Sequence, residues 1–108
     1  MEPADIEDYL KDSLEYMLDT DVDVSITSYS FYGSENKTSS KIKGKMKMKM
    51  SLYIDEYDLE GTVNVNSTFT GYRSNVYLST QKTEDSNKTA ASPMENIIKT
   101  IDHLLRIP

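Results

Sequence analysis

Between Lys41 and Ile54 the chain reads Lys-Ile-Lys-Gly-Lys-Met-Lys-Met-Lys-Met-Ser-Leu-Tyr-Ile. Lys41, Lys43, Lys45, Lys47 and Lys49 alternate with Ile42, Met46, Met48 and Met50, and Leu52 and Ile54 continue the apolar set. Only a backbone whose side chains alternate between two faces separates these sets, because the side-chain period of a strand is two. On a helix the same lysines would be scattered around the axis. The segment therefore dictates a strand with one apolar and one basic face, and whatever covers the methionines must come from elsewhere in the chain.

Asp55 to Asp58 reads as a turn, and Leu59 to Thr70 as the partner strand, with Leu59, Val63, Val65 and Phe69 on one face. Pairing Ile54 with Leu59 sets Met50 against Val63, Met48 against Val65 and Gly44 against Phe69, an aromatic opposite a strand glycine. On the other face Lys49 meets Asn64 and Lys47 meets Asn66. Both faces agree in one register, and a slip of one residue would spoil both.

The remaining segments supply the cover. Residues 3–18 carry Ile6, Tyr9, Leu10, Leu14, Met17 and Leu18 at helical spacing, with Pro3 suited to the first turn. Val22, Val24 and Ile26 then alternate with polar residues as a strand running to Tyr32. Its phase is ambiguous after Ser28: a bulge would turn Tyr29 and Phe31 inward, and without one they lie on the opposite face. Gly33 to Ser40 reads as a polar loop, Thr70-Gly71 as a hairpin turn, and Tyr72 to Thr80 as a fourth strand with Tyr72, Val76 and Leu78 on the core parity. Gln81 to Ala91 reads as a second polar loop. Ser92-Pro93-Met94-Glu95 combines a capping box with a first-turn proline, and Met94, Ile97, Ile98, Ile101, Leu104 and Leu105 follow on one stripe. The expected fold is α+β: one domain over residues 1–108, a four-stranded antiparallel meander with an N-terminal and a C-terminal helix packed on one face, in the order α-β-β-β-β-α.

The chain has 108 residues and no cysteine, so disulfides and thiolate chemistry are excluded. Absence of cysteine suits a reducing compartment. The start, Met-Glu-Pro-Ala-Asp, has neither a basic nor an apolar signal region, and no apolar run approaches the ~20 residues of a membrane span. The expectation is a cytoplasmic protein, of the producing or of a host cell, with no membrane association.

Signals for catalysis are weak. His103 is the sole histidine, which removes any His–His metal pair or histidine relay within one chain. No serine sits in a nucleophile elbow, and four glycines form no phosphate loop. Asp19-x-Asp21-x-Asp23 imitates the start of a calcium loop. Val24 then replaces the required glycine and Ser30 the bidentate glutamate, so structural acids account for it better. No catalytic residue, metal or cofactor is expected.

Charge segregation is the stronger hint. Residues 1–23 carry a net −8, residues 35–50 a net +5 and residues 51–60 a net −4, within a total of −6. Asp5, Asp8, Asp12, Glu15 and Asp19 recur at three- and four-residue spacing, a stripe of carboxylates along the first helix. Such a stripe can dock on a basic partner, and a solvated face accounts for it equally well. Lys41, Lys43, Lys45, Lys47 and Lys49 span roughly 27 Å of strand at ~3.3 Å per residue. Arg73, Tyr53 and Tyr77 share their outward parity, and Tyr29 and Phe31 join them if no bulge intervenes. A basic face with interleaved aromatics suits an acidic protein segment or single-stranded nucleic acid, whereas solvation and protection of strand edges are the bland account.

The expected role is a non-catalytic accessory or inhibitor protein that binds a protein partner through these charged surfaces. Small acidic proteins rich in Asn, Lys, Asp and Tyr resemble phage or viral host-interaction proteins in composition. The alternative is a single-stranded nucleic-acid-binding module on the lysine face. Facing lysine stripes would repel, so self-association is expected to be absent or to use a strand edge or the helix layer.

Overall fold

The computed structural model describes residues 2–36, 41–72, 75–87 and 92–106. Helix α1 (Pro3–Leu18) is followed by strands β1 (Val22–Asn36), β2 (Lys41–Ile54), β3 (Leu59–Tyr72) and β4 (Asn75–Asp85), and by helix α2 (Ser92–Arg106). The strands form one antiparallel sheet in the order β1-β2-β3-β4, which is the meander the alternation dictates. The register of β2 on β3 is Ile54↔Leu59, Met50↔Val63, Met48↔Val65, Lys47↔Asn66 and Gly44↔Phe69.

Both helices lie on the methionine face. Ile6, Leu10 and Leu14 of α1 and Met94, Ile97, Ile98, Ile101 and Leu104 of α2 are buried against Val22, Met48, Met50, Leu52, Ile54, Val63 and Val65. Met46 is only partly covered. Within α1 the packing line is Ile6, Leu10, Leu14 and Leu18 at strict four-residue spacing, and Met17, expected inward, is turned out to solvent. Tyr9 sits at the rim, and its hydroxyl donates to the Leu104 carbonyl of α2 at 3.0 Å, tying one helix to the other.

Two single-residue bulges set the phases of the outer strands. In β1 the register shifts between Ile26 and Ser28, so Tyr29 pairs with Met48 and Phe31 with Met46 on the helix-covered face. In β4 it shifts opposite Thr68 and Phe69, so Leu78 faces inward with Phe69, and beyond the bulge Gln81 and Thr83 face inward with Ser67 and Val65. Each bulge adds one residue and reverses the parity of everything after it.

Three expected boundaries move. β1 runs on to Asn36, through residues expected to be loop. The hairpin between β3 and β4 is not at Thr70-Gly71: β3 continues to Tyr72, which pairs with Asn75 and lies on the outer face rather than on the core parity of β4. Residues 73 and 74, Arg73 among them, lie outside the described residues. Gly71 is a strand residue at φ 154, and a Cβ there would strike the Asn75 carbonyl oxygen and come within 2.9 Å of the Val76 Cα. Backbone cannot yield as a side-chain tip can, so Gly71→Ala is expected to cost about 1–3 kcal/mol. A chemical-denaturation midpoint equal to the wild type would contradict this. The loop expected over 81–91 instead begins after Asp85, because Gln81, Thr83 and Asp85 pair with Ser67, Val65 and Val63.

Helix length and strand length do not match. Helices of 15–16 residues are ~23 Å long, whereas strands of 14 residues reach ~46 Å. The principal extents are 53 × 26 × 20 Å. The helices therefore cover the half of the sheet near the β2–β3 turn, and the far half extends beyond them. Phe31, on the inner face of that far half, is 56% exposed. Its ring lies over Gly44, whose added Cβ would be 3.3 Å from the Phe31 Cζ, and sits 6.4 Å from the ring of Phe69.

Candidate functional site

The outer face of the sheet bears no helix. Rows across it follow from the register: Ser28, Lys49, Asn64 and Glu84; Ser30, Lys47, Asn66 and Lys82; Tyr32, Lys45, Thr68 and Thr80; Lys43, Thr70 and Tyr77; Lys41, Tyr72 and Asn75. Lys41, Lys43, Lys45, Lys47 and Lys49 are all exposed. None of them forms an ion pair among the described residues; Lys82 pairs with Glu84 at 3.5 Å. Five cations therefore project from one strand with their donors available.

Tyrosines interleave with these lysines. Tyr32, Tyr72 and Tyr77 are 65%, 57% and 56% exposed. Tyr77 is steadied by the Asn75 side-chain amide, which donates to its hydroxyl at 2.6 Å. Tyr32 and Tyr72 were not legible on this face in the sequence: Tyr32 arrives there because of the bulge in β1, and Tyr72 because β3 outlasts its glycine. Tyr29 and Phe31 leave it for the helix side. Tyr53 shares the outer parity at the opposite, acidic end, beside Asp23 and Glu60. Its hydroxyl donates to Asp58 Oδ1 at 3.0 Å, and that hydrogen bond raises the phenol pKa. Asp58 adopts the left-handed conformation (φ 46) that closes the β2–β3 turn, so Tyr53 braces the turn. A depression of about 410 Å³ is lined by Tyr32, Lys43, Lys45, Thr68 and Thr70 together with Gly33, Gly44 and Phe69.

The acidic stripe of α1 divides into two parts. Asp5, Asp8 and Asp12 are exposed. Glu15 is turned toward β1: its Oε2 accepts the Val22 N–H at 3.1 Å and the Lys11 ammonium at 3.1 Å, and Lys11 also donates to the Val22 carbonyl at 2.8 Å. Asp19 takes the left-handed conformation (φ 54, ψ 44) that ends the helix, with its N–H donating to the Glu15 carbonyl. Tyr16, one helical turn beyond Asp12, is 90% exposed, and Met17, on the side of the apolar stripe, is also exposed.

The Val22 N–H, then Lys11, hold the Glu15 carboxyl below its ordinary pKa. On α2, burial opposes the charge of Asp102, but hydrogen bonds from Arg106 (2.8 Å), Gln81 (3.0 Å) and Thr83 (2.7 Å) outweigh it and lower its pKa as well. A carboxylate whose folded pKa is lowered stabilises the fold above its unfolded pKa, and that contribution disappears as pH falls through the lowered value. Glu15→Gln is therefore expected to lower the melting temperature at neutral pH, with the gap from wild type closing as pH drops below the ordinary carboxylate range. A gap independent of pH would contradict the assigned role.

Among the described residues no group of three or more His, Cys, Asp or Glu side chains converges as a metal site, and His103 is exposed on α2. No helix among them is long and apolar enough to cross a membrane. No protein-family model matches the chain, and no curated protein matches it in sequence.

Proposed function

We propose that this protein is a non-catalytic macromolecule-binding protein, and that its working surface is the lysine-bearing stretch of the outer sheet face, which takes single-stranded nucleic acid. The observation that carries this reading is the interleaving of unpaired lysines with three tyrosines that are each more than half exposed. Lysines supply sequence-independent attraction to phosphates, and exposed rings offer stacking surfaces to unpaired bases. A flat strand face presents both along one line, as an extended strand requires. Most of the acids that give the chain its net −6 lie on α1, the α1–β1 link and the β2–β3 turn, and Glu84, on the outer face itself, is paired with Lys82. They lower long-range attraction and leave the local lysine row intact.

Stacking is tested apart from charge. The chain has eight tyrosines and no tryptophan, so its emission reports these rings. Titration with a short oligothymidylate is expected to quench that emission. Tyr32→Ala is expected to weaken binding by about 1–3 kcal/mol. Quenching and affinity unchanged in Tyr32→Ala, Tyr72→Ala and Tyr77→Ala would remove the support.

A second reading has its own observation. Tyr16 stands exposed one helical turn beyond Asp12, on the side of Asp5 and Asp8, and tyrosine is enriched in protein interfaces. A basic protein partner docking on α1 would use these four residues, with the aspartates chiefly speeding association. Self-association through the lysine face is disfavoured by like charge, so the expected state is a monomer or a dimer through an open edge, β1 or β4, or through the helix layer.

A further inference from the structure

On the inner face, where α1 and α2 end and the strands run on, a cleft of about 240 Å³ opens between helices and sheet. Its roof is the first turns of α1 and the last turn of α2, and its floor includes Tyr29, Met46, Ser67 and Phe69. Phe31 forms the outer lip. Ser67 is 2% exposed, and its hydroxyl has no hydrogen-bond partner although it sits in the cleft wall. Among the described residues every other member of the buried core is apolar, so an unsatisfied hydroxyl at this one point calls for a partner that the described residues do not supply. Gln81, the cross-strand neighbour of Ser67, does not supply it: its amide donates instead to the Asp102 carbonyl and carboxylate, at 2.9 and 3.0 Å.

We propose that this cleft binds a small neutral molecule with an apolar ring or short chain and one hydroxyl or carbonyl group, which pairs with Ser67. Size, lining and charge each narrow the class. An apolar cavity of about 150 Å³ takes benzene, so the cleft has room for a ring with a short alkyl tail. Tyr29, Phe31 and Phe69 present rings, and the methionine thioethers adapt to irregular shapes. None of the lining residues is charged, so an ionic ligand would be desolvated without compensation. This site lies on the opposite face of the sheet from the lysine row and does not depend on it.

The test uses the full chain with methyl-labelled methionine and two neutral probes, 4-propylphenol and propylbenzene, which differ by one hydroxyl. Saturable methyl shifts at Met46 and Met48 are expected with both. The phenol should bind about five- to tenfold more tightly, the worth of one neutral hydrogen bond. Ser67→Ala removes only the orphan hydroxyl, and it should abolish that preference while leaving propylbenzene binding in place. Ser67→Leu should fill the cleft and abolish binding of both. Absence of saturable shifts with either probe, or equal affinities in the wild type, would overturn the proposal. So would Met46 and Met48 shifts that follow protein concentration rather than probe, because they would assign the cleft to a second copy.

Discussion

Reversal of Lys45, Lys47 and Lys49 to glutamate is expected to weaken single-stranded nucleic acid binding by on the order of 100-fold or more while leaving the fold intact. Each reversal removes a phosphate partner and installs a repelling charge, and charge-assisted contacts carry about 1.5–3 kcal/mol each. The dependence of log affinity on log salt should flatten by about 2, since each single-strand phosphate contact contributes about 0.7. Stability should barely change, because the three side chains are exposed and form no ion pair among the described residues. Neutralising Asp5, Asp8 and Asp12 to asparagine gives the opposite pattern, with nucleic acid affinity unchanged or improved. Capture of a basic partner should fall in that variant if α1 is a working surface. Triple-lysine reversal that leaves affinity untouched would separate the lysine row from binding.

Leu14→Ala and Ile101→Ala are each expected to destabilise the fold by about 2–5 kcal/mol. Both side chains are fully buried, one on each helix, in the core that the helices share with the inner face of the sheet. Truncation leaves a cavity that a close-packed core only partly refills. Met17→Ala is the control: it shares the apparent apolar stripe of α1 but faces solvent, and should cost no more than about 0.5 kcal/mol. Urea midpoints lowered by the first two and not by the third would match the packing line Ile6, Leu10, Leu14. Equal effects from Leu14→Ala and Met17→Ala would contradict it.

The architecture was legible because one strand is so strictly alternating. Once Lys41–Ile54 is a strand, a single register satisfies both its faces, and the apolar stripes of two helices have one place to go. What escaped has a physical reason in each case. A bulge adds a residue without changing composition, and Thr27 and Ser79 suit either face of a sheet, so the parity reversals in β1 and β4 left no trace. Gly71 reads as a turn, yet it is glycine because Asn75 and Val76 approach too closely for a Cβ. The end of β4 reads as a loop because its inward residues, Gln81 and Thr83, meet the polar Asp102 of α2 instead of the core.

The candidate site was legible to the same degree. Its lysines follow from alternation alone, and Tyr77 from parity. Tyr32 and Tyr72 depend on the bulge and on the true position of the hairpin, and neither follows from local spacing. Glu15 shows the converse. Spacing places it in an acidic stripe, but its partners are Val22 and Lys11, contacts made only when β1 returns beside α1. The unpaired hydroxyl of Ser67 is likewise a property of the assembled fold, because a serine in a strand carries no sign of whether a partner will reach it.

Single-stranded nucleic acid on the lysine–tyrosine face is read out by anisotropy titration of labelled single-stranded DNA and RNA between about 50 and 200 mM salt, where phosphate contacts dominate the response. Saturable binding is expected at the low-salt end, falling steeply as salt rises and lost in the triple-lysine reversal. No binding at about 50 mM salt, or binding that the reversal leaves intact, would contradict it.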